Sequence, residues 1–534
     1  MTGAKLSMYD IVIRDGLIVD GTGQPGKRGD VAISGDKIFA VGEFPDIQGK
    51  RVISAQGYVV APGFIDIHSH SDFTLLANPG VDGKVCQGVT TELVGQCGAS
   101  GAPMEGPVRE KRRPELEAIG LSITWSTMDE YLSTLEETQP IVNVATLVGH
   151  GNIRGAVVGY ENRPLLRKEL KQMEALVIQS MEMGAFGLST GLIYPPGVYS
   201  STDELILLTK AVAKFGGIYA THLRSEGDRL IEAIEEALTI AERAGVSLQI
   251  SHLKTNGKKN WSKLPAVFQV IENAITRGIN VHGDRYPYTA SSTDLDVLLP
   301  SWAWEGGREK ELGRLAAPEC QEKITKELLA QDLEPDFWNT VVISTVHHEK
   351  NRHLEGKTLA EIAGERNSAP WKVLYELLIE EDLRVNAIFF SMSEENLTEI
   401  LARDYIMIGT DSAARSLSGL QEKGKPHPRG FGTYPRILSH WAGEGKLLSL
   451  ETAICKMTGL PAKKVGLKGR GLIKAGYCAD LVILDPSTIQ DRADYHNPFQ
   501  SPVGIEHVMV NGEEVIAEGK LTGKRPGRVI RREK

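Results

Sequence analysis

The sequence predicts an α/β protein: a (β/α)8 barrel of the TIM type, joined to a small β-rich domain drawn from both chain termini. Three observations carry this. Strand-like and helix-like segments alternate through the middle, short strands with turn signals fill both ends, and residues suited to metal or proton chemistry recur at the ends of the middle strands.

Near the N-terminus, DIVIRDGLIVDGTG, GDVAISGDKIFAVGEF and RVISAQGYVVAPG read as short strands separated by turns. The same texture returns in ADLVILDPS and GIEHVMVNGEEVIAEGKLTG, where VNGEE is a hairpin turn between strand formers. We therefore expect residues 1–62 and 467–534 to build one composite domain around a barrel spanning 63–466. In that middle, VNVATLVGH, AFGLSTGL, GIYATHL and VSLQISHLK alternate with the helices RKELKQMEALVIQSMEMG, STDELILLTKAVAKFG and DRLIEAIEEALTIAERAG. Each helix carries an apolar stripe at 3.6-residue spacing, and each strand is about five residues long, as repeated βα units require. The pattern blurs at about 290–340, around LLPSWAWEGG, which reads as an insertion; it resumes at VNAIFFSM and YIMIGTDSA.

With 534 residues the chain is long enough for more than one core. A formal charge of -9, with acids and bases interspersed, argues against nucleic acid or a membrane surface as partner. The N-terminus lacks an apolar signal core, and no stretch approaches the roughly 18 apolar residues that span a bilayer, so a cytoplasmic location is expected. Five scattered cysteines, 86, 97, 320, 455 and 478, form no C-x-x-C pair and are read as reduced thiols.

In PGFIDIHSHSD, a strand would aim His68 and His70, two residues apart, at the same face. Other predicted strands end in Cys97, His222, His252 and Asp411. Each alone is ordinary: a small buried cysteine, a satisfied histidine, an N-cap aspartate. Together at one barrel mouth they suit a metal. A thiolate and two imidazoles leave a fourth position on Zn²⁺ for water, whose pKa falls toward neutrality. A nearby carboxylate would then take the proton and return it to the leaving group, and Asp411 is the candidate. His150 and His282 also stand near strand ends and are read as supporting or structural residues. The histidine-dense segment 347–353 is read as a surface loop.

The stretches APGFIDIHSHSD, ELVGQCG, GLSTGLIYPPG, THLRSEGD, SHLK, YPYTASST, GTDSA, HPRGFGTYPRIL, MTGLPAKKVGL and GLIKAGYCADLVILD together resemble the amidohydrolase superfamily. Cys97 in place of a bridging lysine or glutamate, together with HPRGFGTYPR, narrows the resemblance to the N-acyl-D-amino-acid deacylases. It covers essentially the whole chain. It implies a metal-dependent barrel capped by a β-sandwich from both termini, with one tight zinc on Cys97, His222 and His252. His68, His70 and Asp411 would form a weaker second site. Asp411 is implied as the catalytic acid and base, Tyr194 as a hydrogen-bond donor to the scissile carbonyl, and Lys254 and Tyr286 as ligands of the substrate carboxylate.

The expected activity is zinc-dependent hydrolysis of a small N-acyl-D-amino acid. Opening of a cyclic amide, as by a hydantoinase or dihydroorotase, is the alternative within the superfamily, and a non-catalytic scaffold the alternative outside it. Asp294, in YPYTASSTDLD, is expected to border the pocket and to repel acidic side chains. Oligomeric state is not legible in the chain.

Overall fold

Eight short parallel strands close into the expected barrel. They are Phe64–Asp66, Val89–Val94, a third in two pieces (Asn143–Thr146 and Val148–Gly149), Gly187–Gly191, Ile218–His222, Ser247–Ile250, Val281–Arg285 and Ile406–Ile408. A parallel bridge from Ser69 to Ser412 joins the last strand to the first. The computed structural model describes residues 8–331, 333–417 and 423–533.

Sequence periodicity explains how the layers stack. Helix Leu230–Ala244 buries Leu230, Ala233, Ile234, Ala237, Leu238 and Ala241, the stripe that faces the strands. It stops at Gly245, whose φ of +70° lets its N–H return to the Ala241 carbonyl. Full burial of each Leu or Ile contributes about 1.5–3 kcal/mol, so Ile234→Ala costs about 2–5 kcal/mol once the cavity is included.

The terminal strands form one nine-stranded sheet, in which Leu481–Leu484 from the C-terminal segment pairs antiparallel with Val59–Pro62 from the N-terminal one. Strand alternation gives this sheet two apolar faces. Val60, Leu481, Ile483 and Met509 enter a core private to the sheet, whereas Val59, Ala61, Val482, Leu484, Val508 and Val510 join the large core shared with the barrel helices.

The insertion departs from the expectation. It extends well past 340: Ala290–Asp294, Val341–Val346 and Val385–Phe390 form a separate three-stranded antiparallel sheet, with Val385–Phe390 in the middle. VNAIFF is therefore not a barrel strand. The excursion between the seventh and eighth barrel strands has its own core, including Leu295, Ile343, Leu374 and Ala387. An apolar run reads alike in either sheet; its partners decide which one it joins. Among the described residues, no helix is long and apolar enough to cross a membrane.

Candidate active site and metal centre

The barrel mouth collects the predicted donors. Sγ of Cys97 and one ring nitrogen each from His222 and His252 lie within 4.8 Å of one another, and so do donor atoms of His68, His70, Cys97 and Asp411. Cys97 belongs to both groups, a sulfur able to bridge two ions.

Local backbone conformation aims these side chains. Cys97, His252 and Asp411 have φ values of +51°, +36° and +51°, left-handed geometry that non-glycine residues rarely adopt. Each such residue costs roughly 1–3 kcal/mol and persists where surrounding structure enforces it. Here the backbone leaves the barrel strand and turns the side chain into the mouth: the Asp411 N–H donates to the His68 carbonyl at 2.8 Å, and the His252 N–H to Asp284 Oδ1 at 2.8 Å.

Anionic neighbours surround the imidazoles. Nδ1 of His68 is 3.0 Å from Asp284 Oδ1, while its Nε2 is 3.3 Å from both Cys97 Sγ and Asp411 Oδ1. Nε2 of His70 is 3.0 Å from Asp411 Oδ1. Burial works to lower the pKa of these rings, yet the surrounding anions win: His68 is raised well above its ordinary value by Asp284, Cys97 and Asp411, and His70 rises to about 9 through Asp411 and Cys97. Burial pushes the Cys97 thiol up, but the nearby imidazoles of His68, His222 and His252 bring it well below the ordinary thiol range. Asp411, likewise buried, is held well below the carboxylate range by Arg429, His252 and His68.

These residues fit a bound zinc. A thiolate and imidazoles are its usual ligands, and the negative surroundings favour a cation that displaces imidazole protons. His222 gives the sharper sign: it is buried, and neither ring nitrogen has a hydrogen-bond partner. A buried imidazole left so is costly unless something else meets it.

A cavity of about 1340 Å³ opens over this floor, lined by His70, Cys97, Tyr194, His222, His252 and Asp411 among others. Tyr194 stands over His222, ring centroids 5.1 Å apart, with its hydroxyl 2.9 Å from Thr293 Oγ1. Two expected substrate contacts take a different form. Lys254 lines the cavity, but its Nζ is 2.8 Å from His252 Nδ1 and ion-paired with Glu226. Tyr286 is fully buried outside the cavity lining, its ring packed under Arg429 and its hydroxyl without a hydrogen-bond partner. His150 pairs with buried Glu204 at 2.9 Å, a structural contact.

Sequence reasoning missed three residues here. Arg429, at the start of helix Arg429–Arg436, bonds Asp411 Oδ2 at 2.8 Å and the Ser292 carbonyl at 3.1 Å. Glu226 lies 2.9 Å from His252 Nδ1, and Asp284 orients His68. HPRGFG and SEGD were visible as motifs, but nothing local marked which of their charges returns to the metal floor.

Metal donors at the C-terminal mouth of a closed parallel barrel, with an ionised carboxylate beside them, define the class: a metal-dependent barrel enzyme. A model of the amidohydrolase family matches residues 51–283 and 421–516. The chain is 36% identical over 535 residues to a D-aminoacylase of Alcaligenes xylosoxydans xylosoxydans, covering 100% of this chain and 99% of that one. A D-aminoacylase structure, solved in a study of its binuclear metal centre, matches with a TM-score of 0.83 at 35% identity, covering 98% of this chain and 100% of that one. The N-acyl-D-glutamate deacylase of Bordetella bronchiseptica, solved with zinc and a phosphonate mimic of the tetrahedral intermediate, gives 0.82 at 32% identity, with coverage of 98% and 100%. This chain belongs to the amidohydrolase family and, within it, to the N-acyl-D-amino-acid deacylases.

Proposed function

We propose that this chain is a zinc-dependent hydrolase that cleaves the linear amide of N-acyl-D-amino acids to a carboxylate and a free D-amino acid. One observation carries the reading: Cys97 is shared by two imidazole-bearing donor groups, with ionised Asp411 on the same floor beneath a substrate-sized cavity. The relatives named above act on such substrates, and the binuclear metal centre of one and the zinc bound by the other suit the paired donor groups.

Cys97, His222 and His252 would hold the tighter ion. His68, His70, Asp411 and Cys97 would hold a second more weakly, because Arg429 already engages one Asp411 oxygen. Zinc bound there supplies Lewis acidity, polarising the acyl carbonyl and making water a nucleophile near neutral pH. Oδ1 of Asp411, facing the donors, accepts the water proton and delivers it to the departing amine, while Arg429 fixes the other oxygen. The Tyr194 hydroxyl donates to the carbonyl oxygen as negative charge develops on it, positioned for this by Thr293. Lys254 and Arg429 form the cationic wall for the substrate carboxylate, with Tyr286 behind Arg429.

The cyclic-amide reading lacks its bridging lysine. The buried Lys84 beneath the floor is bound to Asp66, Thr410 and the Ser412 carbonyl. The test is amine release from N-acetyl-D-methionine and its L-enantiomer by zinc-loaded enzyme, with dihydrouracil alongside. The D-amide should be hydrolysed in strong preference to both. Equal rates on the L-enantiomer, or faster ring opening, would overturn the proposal.

A further inference from the structure

The cavity carries a second polar group that the hydrolytic chemistry does not use. Asp294 ends the strand Ala290–Asp294, Asp296 follows in the next turn, and Glu311 comes from helix Arg308–Ala316; all three line the cavity that holds the metal donors. The group begins close to the floor. Thr293 touches Tyr194, which stands over His222, and Asp294 lies one Cα step beyond, about 3.8 Å.

Glu311 is the telling residue. It is 6% exposed, yet its Oε1 has no hydrogen-bond partner. The cations facing the group are already engaged: Lys111 lies over the Tyr160 ring at 4.7 Å, Arg112 pairs with Glu115 at 2.7 Å, and Arg314 bonds the carbonyls of Ala303 and Glu305. Burial and then mutual repulsion push Asp296 up to about 7 and Glu311 up to about 8, so on their own both hold protons near neutral pH, and a bound cation would draw them into the ionised form. A compact metal ion is a poor match. Among the described residues, the donor groups that gather within 4.8 Å are those around Cys97, and these carboxylates are not among them. A spread set of acceptors suits an extended cation with several N–H donors.

We propose that Asp294, Asp296 and Glu311 form the side-chain subsite, and that it selects N-acyl-D-amino acids bearing a long cationic side chain of the arginine or lysine kind. The substrate class rests on the deacylase reading above. All three acids belong to the inserted segment, so this selectivity resides outside the barrel that performs the chemistry.

N-acetyl-D-arginine and N-acetyl-D-citrulline, equal in shape but differing in charge, provide the test. Zinc-loaded wild type should prefer D-arginine by roughly 10-fold or more in kcat/KM, the scale of a hydrogen bond to a charged group. In Asp296→Asn/Glu311→Gln the preference should fall toward parity. Calorimetry on the zinc-loaded Asp411→Asn enzyme, slow to turn substrate over, should show the same preference in Kd. If wild type hydrolyses N-acetyl-D-methionine but treats arginine and citrulline alike, the subsite is wrong and the deacylase reading stands. If no D-amide is hydrolysed, yet the binding preference appears and the double substitution removes it, the subsite stands and the deacylase reading fails.

Discussion

The barrel mouth and the inserted wall opposite it line one cavity and are built in opposite ways. At the mouth, parallel strands deliver donors from distant sequence positions, and three are held by a second polar group: His68 by Asp284, His252 by Glu226, Asp411 by Arg429. The insertion packs an antiparallel sheet over a core of its own and presents carboxylates, one with an oxygen that meets nothing. The contrast separates two tasks. Chemistry needs a fixed floor, and the barrel ladder fixes it; selectivity needs a wall that can differ without disturbing that floor, and a segment with an independent core supplies one.

The largest effect should come from the sulfur shared by both donor groups. Cys97→Ala removes a ligand from each, so neither ion should survive dialysis and activity should be lost, whereas His70→Ala should weaken the second ion alone. Elemental analysis checks both, and full zinc retention in Cys97→Ala would break the view of the mouth as one shared centre.

Next in size, Asp411→Asn should keep the tighter zinc and lose roughly 10²- to 10⁴-fold in kcat, the usual contribution of acid-base catalysis. Asn caps a helix about as well as Asp, so a silent substitution would return Asp411 to a structural role.

Lys254→Met sharpens the boundary between holding substrate and holding the site. Because Lys254 is buried against Glu226, the single substitution leaves that carboxylate with His252 as its remaining close partner and should cost about 1–3 kcal/mol of stability. Lys254→Met/Glu226→Gln should recover much of that in thermal unfolding. If the double variant still discriminates N-acetyl-D-methionine from its α-amide as well as wild type does, the lysine serves the fold and not the substrate.

The smallest effect tests the seam between wall and floor. Thr293→Val removes the partner of the Tyr194 hydroxyl, a loss of about 0.5–1.5 kcal/mol, or roughly 2- to 10-fold in kcat, with zinc content unchanged.

Much of the floor could be read from the chain because strands obey a strict local rule. His68 and His70 share a face by spacing alone, and Cys97, His222, His252 and Asp411 each follow a recognisable apolar run. The wall could not be read this way. VNAIFF and the run VVISTV before it have the apolar character of barrel strands, and pairing with each other, not composition, places them in a separate sheet.

By itself, then, the sequence determined the donor types, the alternation of strand and helix, and the strand-rich character of both termini, since each follows from short-range periodicity and residue chemistry. Tertiary structure decided which charges meet. Asp411 reaches Arg429 across 18 residues and Lys254 reaches Glu226 across 28, pairings that no local pattern encodes. It decided too that Cys97 serves both donor groups and that Glu311 faces the cavity, because burial and electrostatic neighbourhood are properties of the closed fold.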